Sequence, residues 1–420
     1  VAFDKFCNCP PGLAVLWQRA FLQEAPAMTF LASATLLRRR DGHEARVTFV
    51  ELFFDLVYVF AVTQLSHSLL HDLTLIGAVH ALVLWFAVWL GWQYTCWVTN
   101  WFDPDAIPMR VMLFAVMLVG LIAAAVLPDA FGENGLIFAI CYALIQVGRT
   151  VFIVLHLGRN HPLADNFRRM LGWLCISAVL WIAGGLASGE ARLVLWIAAV
   201  ACEYISPMFG FRLPGMGRSY TSDWTIEGGH IAERCQLFVI VALGETLLIT
   251  GATLGDRGHW DIPTLIALLA AFLGTAAMWW VYFDTSSKDG SHAIVHSSDP
   301  GRMGAIFHYV HVILIAGVIV SAVANELVIL HPDGRITTPA AAALLGGPAL
   351  YLLGNGIYKT VVYARFPLSH LAGLVLLAVL APVSTVTDNL MVGGLTTLIM
   401  VLVAVWESVS RRRAASPITV

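Results

Sequence analysis

Twelve stretches of mainly apolar residues, each close to 20 long and separated by short polar connections, follow one another between residues 47 and 409. A helix needs about 20 such residues to cross the hydrocarbon core of a bilayer. In lipid every backbone N–H and C=O must find its partner inside the structure, which leaves the α-helix as the fitting conformation for segments of this length. The stretches lie at approximately 47–69, 77–99, 110–127, 135–157, 170–187, 192–210, 230–254, 263–283, 305–329, 340–359, 368–386 and 391–409. The chain is 59% hydrophobic and 12% charged, where soluble domains average roughly 45–50% and about 25%. The expected fold is an all-α integral membrane protein of about twelve transmembrane helices.

Orientation follows from lysine and arginine, which collect in short cytoplasmic loops. With the N-terminus inside, the inner connections hold 17 basic residues, among them Arg38, Arg110, Arg168, Arg169, Arg302 and Arg411 to Arg413, and the outer ones hold three, Arg192, Arg257 and Arg335. An odd number of crossings would scramble this alternation, so both termini are expected in the cytoplasm. Residues 1–45 read as a disordered N-terminal tail and 411–420 as a basic C-terminal tail. The net charge of −3 leaves no basic surface for nucleic acid. The seven cysteines are scattered, and they indicate neither a disulfide framework nor a metal site.

The chain also repeats itself. "ELFFDLVYVFAVTQL" from Glu51 aligns with "ERCQLFVIVALGETL" from Glu233, and the next helix in each half is rich in tryptophan (Trp85, Trp89, Trp92; Trp279, Trp280). Six helices per half is an even number, so the predicted halves, 46–228 and 229–410, have the same orientation and are related by an axis along the membrane normal.

Ionisable residues inside a membrane are costly and so point to function or to fixed pairing. In the first helix Glu51 and Asp55 lie four apart on one face, with Gln64 further toward the outside. The fourth helix carries Arg149 and the sixth Glu203. In the seventh, Arg234, Phe238, Val241 and Glu245 form one stripe, with Glu233 and His230 beside it. Arg149, Glu233 and Arg234 are expected to pair with Glu51 and Asp55 in a buried ionic cluster near the cytoplasmic end. Glu245 lies about 18 Å above Glu233 with no basic residue in view, which suits a proton- or ion-binding carboxylate.

Absent motifs narrow the chemistry. No phosphate-binding G-x-x-x-x-G-K-[ST] loop, no H-E-x-x-H and no G-x-S-x-G occurs, and no lysine sits at mid-membrane. The pairs "HSLLH" (His67, His71), "HAIVH" (His292, His296) and "HYVH" (His308, His311) have the spacing of membrane di-iron centres. The predicted topology puts the first pair on the opposite side from the others. No cofactor and no metal are expected.

The motif E-L-F-F-D-L-V-x-V-F in the first helix, with Glu233, Arg234, Phe238, Ile240, Leu243, Gly244 and Glu245 in the seventh, resembles the bacterial low temperature requirement A family of multipass membrane proteins. The likeness extends over about residues 38–410 and implies an inner-membrane location and a role in growth in the cold. With the carboxylates, it leads to the expectation of a membrane protein that moves a small solute or ion among its lipids, Asp55 and Glu245 serving as binding or coupling groups. A lipid-modifying enzyme and a non-catalytic membrane sensor or scaffold are the alternatives.

Overall fold

Hydropathy marks the cores of helices and leaves their ends open. The computed structural model describes residues 36–38, 40, 45–157, 161–257, 260–284, 287–384 and 386–415. Among these the regular structure is helical, with three isolated β-bridges and no strand. Among the described residues, eleven helices are long and apolar enough to cross a membrane: α1 (Phe49–His71), α2 (Leu75–Trp101), α3 (Ile107–Asp129), α4 (Gly135–Leu157), α5 (Ala164–Leu186), α6 (Gly189–Met208), α7 (Gly228–Asp256), α8 (Ile262–Phe283), α9 (Pro300–Leu330), α10 (Thr338–Tyr363) and α12 (Asn389–Ala415). The remaining apolar segment forms the shorter α11 (Leu368–Ser384), of 17 residues, about 26 Å at 1.5 Å per residue.

α11 nevertheless runs between the same two levels as its neighbours. Its first turn meets Glu407, near the end of α12, through Ser369 and His370. At the other level, where α12 begins, the amide of Asn389 donates to Gly334 in the connection between α9 and α10.

Several helices extend past their apolar cores. α5 begins at Ala164, ahead of "DNFRR", and the last helix continues to Ala415, taking in the three arginines assigned above to a tail. Arginine is a good helix former and its long stem lets the charge reach water, so hydropathy alone makes these helices too short. Of the expected N-terminal tail, residues 1–35, 39 and 41–44 lie outside the described residues. Arg38 and Arg40 are described and anchored: Arg38 donates to the Thr99 carbonyl at 2.9 Å and Arg40 to that of Thr225 at 2.7 Å.

Packing between helices follows one pattern twice. α1 packs on α2 and α3, α3 on α4, α4 on α5, α5 on α6, and α6 returns to α2; α7 packs on α8 and α9, and the same sequence of pairings runs through α10 and α11 to α12, which returns to α8. α1 and α7 meet side by side, and their contacts ascend together, Glu51 to His230, Asp55 to Arg234 and Thr63 to Glu245. The two helices therefore run parallel.

α9 and α10 pack closely, where glycines let the backbones touch. A Cβ on Gly317 would stand 2.4 Å from the Tyr351 amide nitrogen, and one on Gly354 2.7 Å from that of Leu314. Small residues at such crossings replace the hydrophobic drive that lipid cannot supply. Gly317→Leu is expected to destabilise the protein by about 3 kcal/mol through overpacking. Gly346→Ala on the same helix pair, where an added Cβ meets nothing within 4 Å, should be neutral or stabilising by about 0.5–1 kcal/mol. Thermal midpoints in detergent, read by size-exclusion of heated samples, would separate the two; equal midpoints would contradict the close-approach argument.

Candidate functional site

The polar residues of α1 and α7 face one another and sort into layers. Lowest is Glu51, fully buried. Its Oε2 accepts from the Thr48 amide at 2.9 Å and the Thr48 hydroxyl at 3.0 Å, at the start of α1. Its Oε1 accepts from His230 Nε2 at 2.8 Å, and Arg38 stands 3.5 Å from Oε2. Asn100 at the end of α2 fixes the imidazole: its oxygen accepts from the Glu227 amide, which turns Nδ2 toward His230 Nδ1 at 3.1 Å. With Nε2 protonated, the ring accepts from Asn100 at Nδ1 and donates to Glu51.

One turn higher is the ion pair of Asp55 and Arg234, each 1% exposed. Arg234 Nη2 donates to Asp55 Oδ1 at 2.7 Å, and the Trp92 indole N–H donates to the same oxygen at 2.7 Å. The guanidinium also contacts Cys96 Sγ at 3.3 and 3.4 Å and lies 5.7 Å from the centre of the Trp92 ring. The pairing is one-sided. Asp55 Oδ2 and Arg234 Nη1 have no protein partner, and neither has Nε2 of the buried His308 on α9, whose ring lies 5.7 Å from that of Trp92. Buried polar groups are almost always satisfied, so orphans grouped in one place mark a position for water, an ion or a moving proton. Two carboxylates and two guanidinium groups close the cluster to zero formal charge, which is what makes their burial tolerable.

Above this pair the seam is apolar. Val59 and Val62 of α1 are buried, and Phe238 of α7 packs against Trp89 and Trp92 at 5.5 and 4.7 Å between ring centres. The next polar contact is Thr63, which donates to Glu245 Oε1 at 2.5 Å; Glu245 is half-buried. Gln64, half-buried on the next position of α1, makes no part of this contact. Higher still, Glu326 of α9 lies within electrostatic range of His67 and His71.

A second buried network lies between α4, α5 and α6. A π-helical turn, Leu144–Gly148, interrupts α4 just before Arg149. Glu203 of α6 accepts from Tyr142 at 2.5 Å, Trp181 at 3.0 Å, Gln146 at 3.2 Å and Ser177. Four donors fill a carboxylate. Arg149 binds the Gln146 oxygen, Thr95 at 2.9 Å and the Gly91 carbonyl at 3.3 Å. The arginine that reaches Asp55 is thus Arg234, while Arg149 turns to α2. Glu233 is half-buried and takes the Val47 amide at 3.1 Å. Sequence gives the height of each residue along its helix; the direction it faces depends on how the helices are rotated against one another.

The histidine pairs do not converge. His308 and His311 each donate from Nδ1 to a carbonyl of their own helix, Gly304 at 2.9 Å and Phe307 at 2.7 Å. His292 and His296 stack on each other at 3.8 Å. Among the described residues no group of three His, Cys, Asp or Glu side chains is placed to hold a metal.

Residues 46–405 match the family described as "Bacterial low temperature requirement A protein (LtrA)". The chain belongs to this family. Its buried Glu51, Asp55 and Arg234 and its half-buried Glu245 all stand in the motif positions that carry the likeness. The chain is also similar to the uncharacterized protein RA0937 of Rhizobium meliloti (strain 1021), 38% identical over 386 residues, 90% of this chain and 94% of that protein. No solved structure matches. Partners that sequence reading passed over are Trp92, Cys96, Asn100 and His308. The signal for Asn100 was present: an amide at the end of a tryptophan-rich helix, beside the carboxylate-bearing start of α1.

Proposed function

We propose that this family member is a membrane transport protein of two parallel six-helix halves, with both termini in the cytoplasm of a bacterial inner membrane. It moves a proton or small ion along the seam between α1 and α7. The observation that carries the reading is the Asp55–Arg234 pair, which joins the first helices of the two halves yet leaves one carboxylate oxygen without a protein donor. Such a group can take up and release a cation or proton without dismantling the contact that holds the helices together. The seam between repeats is also where transporters of this general build place their sites. Thr63 and Glu245 support the duplication: they are separated by 182 positions, the same offset as Glu51 and Glu233, and equivalent residues meet each other at a two-fold axis. The apolar block of Val59, Val62 and Phe238 separates the lower and upper polar layers, so passage requires the two halves to shift. Growth in the cold is the physiological setting in which this transport matters.

The test is flux in proteoliposomes. With a potassium diffusion potential imposed and a pH dye inside, the wild-type chain should acidify or alkalinise the lumen faster than empty vesicles. Asp55→Asn should remove most of that rate and Glu245→Gln should reduce it. A wild-type rate equal to that of empty vesicles for protons, sodium and potassium alike would end the transport reading.

A further inference from the structure

A cavity of about 450 Å³ lies at the end of the bundle where α2 and α6 finish and α5 and α9 begin. Its walls include Tyr94, Trp97 and Trp101 of α2, Phe167 of α5, Trp224 of the connection before α7, and Tyr309 of α9. These rings hold one another: Trp97 lies 5.4 Å from both Trp101 and Trp224, and Trp101 meets Phe167 edge-on at 5.5 Å. A wall of interlocked rings is preformed and does not collapse when empty. The volume suits a ligand of drug-like size, since pockets for such ligands run from about 300 to 1,000 Å³.

Three polar groups give this cavity a chemistry. Gln93 is 6% exposed and lines it, and its side-chain oxygen has no protein donor. The indole N–H of Trp224 has no acceptor. At the rim stands Arg302, exposed, with no ion pair to any described carboxylate. No aspartate or glutamate lines the cavity. Aromatic walls alone would serve a quaternary ammonium as well as a neutral ring. Asp299, three residues before Arg302, is engaged by the Arg302 amide at 2.9 Å and the Thr221 hydroxyl at 2.6 Å, so the guanidinium, which has no ion pair, favours an anion over a cation and can grip it by charge-assisted hydrogen bonds. The buried amide oxygen asks for a donor on the ligand.

We infer that this cavity is a binding site for a planar aromatic or heteroaromatic organic anion, its ring between the tryptophans, an N–H or O–H toward Gln93 and its carboxylate at Arg302. The site is distinct from the Asp55–Arg234 seam and does not depend on the transport reading, because it is tested by equilibrium binding without flux.

Three probes share one ring and differ in charge: indole-3-acetate, indole-3-acetamide and tryptamine. Titrated calorimetrically into the purified full chain in phosphatidylcholine nanodiscs, the acetate should bind saturably and more tightly than the amide, with tryptamine weakest. Arg302→Ala should weaken the acetate by about tenfold and leave the amide unchanged, whereas Gln93→Leu should weaken both. Both variants are to be checked for a monodisperse peak, and Arg302, being exposed, is the one whose folding is least at stake. The inference is overturned by tryptamine binding as tightly as the acetate, by an Arg302→Ala protein with unaltered acetate affinity, or by no saturable binding of any probe. It also fails if nanodiscs containing phosphatidylglycerol abolish acetate binding, since the rim would then be a lipid headgroup site.

Discussion

Replacing Arg234 by methionine is expected to cost about 3–5 kcal/mol of stability, because it leaves Asp55 charged and buried with only the Trp92 N–H as donor. The wild-type pair is 1% exposed on both sides, so neither charge is open to bulk solvent. The companion variant, Arg234→Met with Asp55→Leu, removes both charges together and should recover much of the loss, since exchanging a whole buried pair for apolar residues is often close to neutral. The contrast separates two roles. Should both proteins be equally stable in detergent, the pair contributes nothing to the fold; should the double variant fold well yet carry no flux, the pair belongs to transport. Thermal unfolding followed by tryptophan fluorescence, run beside the vesicle assay, reads both.

The second large effect is expected at Glu203. Glu203→Leu removes the acceptor of the Tyr142, Trp181, Gln146 and Ser177 donors in a buried interior, where Gln146 keeps the Tyr142 oxygen and Ser177 the Ala199 carbonyl as second acceptors. Each unsatisfied donor costs about 1–3 kcal/mol, and Tyr142 and Trp181 lose theirs outright, so a loss of about 4 kcal/mol is expected. Glu203→Gln should lose less, about 1–2 kcal/mol, because its oxygen still accepts and the Tyr142 and Ser177 hydroxyls can turn to receive its amide hydrogens. Resistance to proteolysis of purified protein, compared at equal concentration, would rank the three. A leucine variant as resistant as wild type would mean that water reaches the network and the carboxylate is not its centre.

The two buried carboxylates nearest the cytoplasmic end illustrate different uses of the same residue type. Glu51 is spent on structure: both oxygens have donors, and one of them holds the start of α1. Asp55, four residues on, keeps an oxygen free. The sequence presents them as an equivalent pair on one helix face. Their difference lies in what the neighbouring helices bring: α7 supplies a histidine to the lower one and an arginine to the upper, and α2 adds Asn100 below and Trp92 above.

Length and hydropathy were enough to place the eleven helices of spanning length and the shorter α11, since long apolar runs are local properties of the chain, whereas the polar nine-residue helix Ser287–Val295 carries no such signal. The ordering of heights was equally legible: Glu51 below Asp55 and Glu233 below Glu245 follow from 1.5 Å per residue. Helix ends at the aqueous faces were less so, because residues such as Arg412 and Asp165 prolong a helix that hydropathy has already ended. What only the tertiary structure decided is azimuth and partnership. Arg149 and Arg234 were indistinguishable as partners for Asp55 by depth, and the rotation of α4, with its π turn, gives Arg149 to Gln146 and Thr95 instead. The aromatic cavity was likewise out of reach, since Trp97, Trp224 and Arg302 come from segments far apart in sequence and acquire a common surface only where four helices converge. A one-dimensional pattern records how deep a side chain lies along its own helix. Which side chains face each other is a property of several helices packed at once.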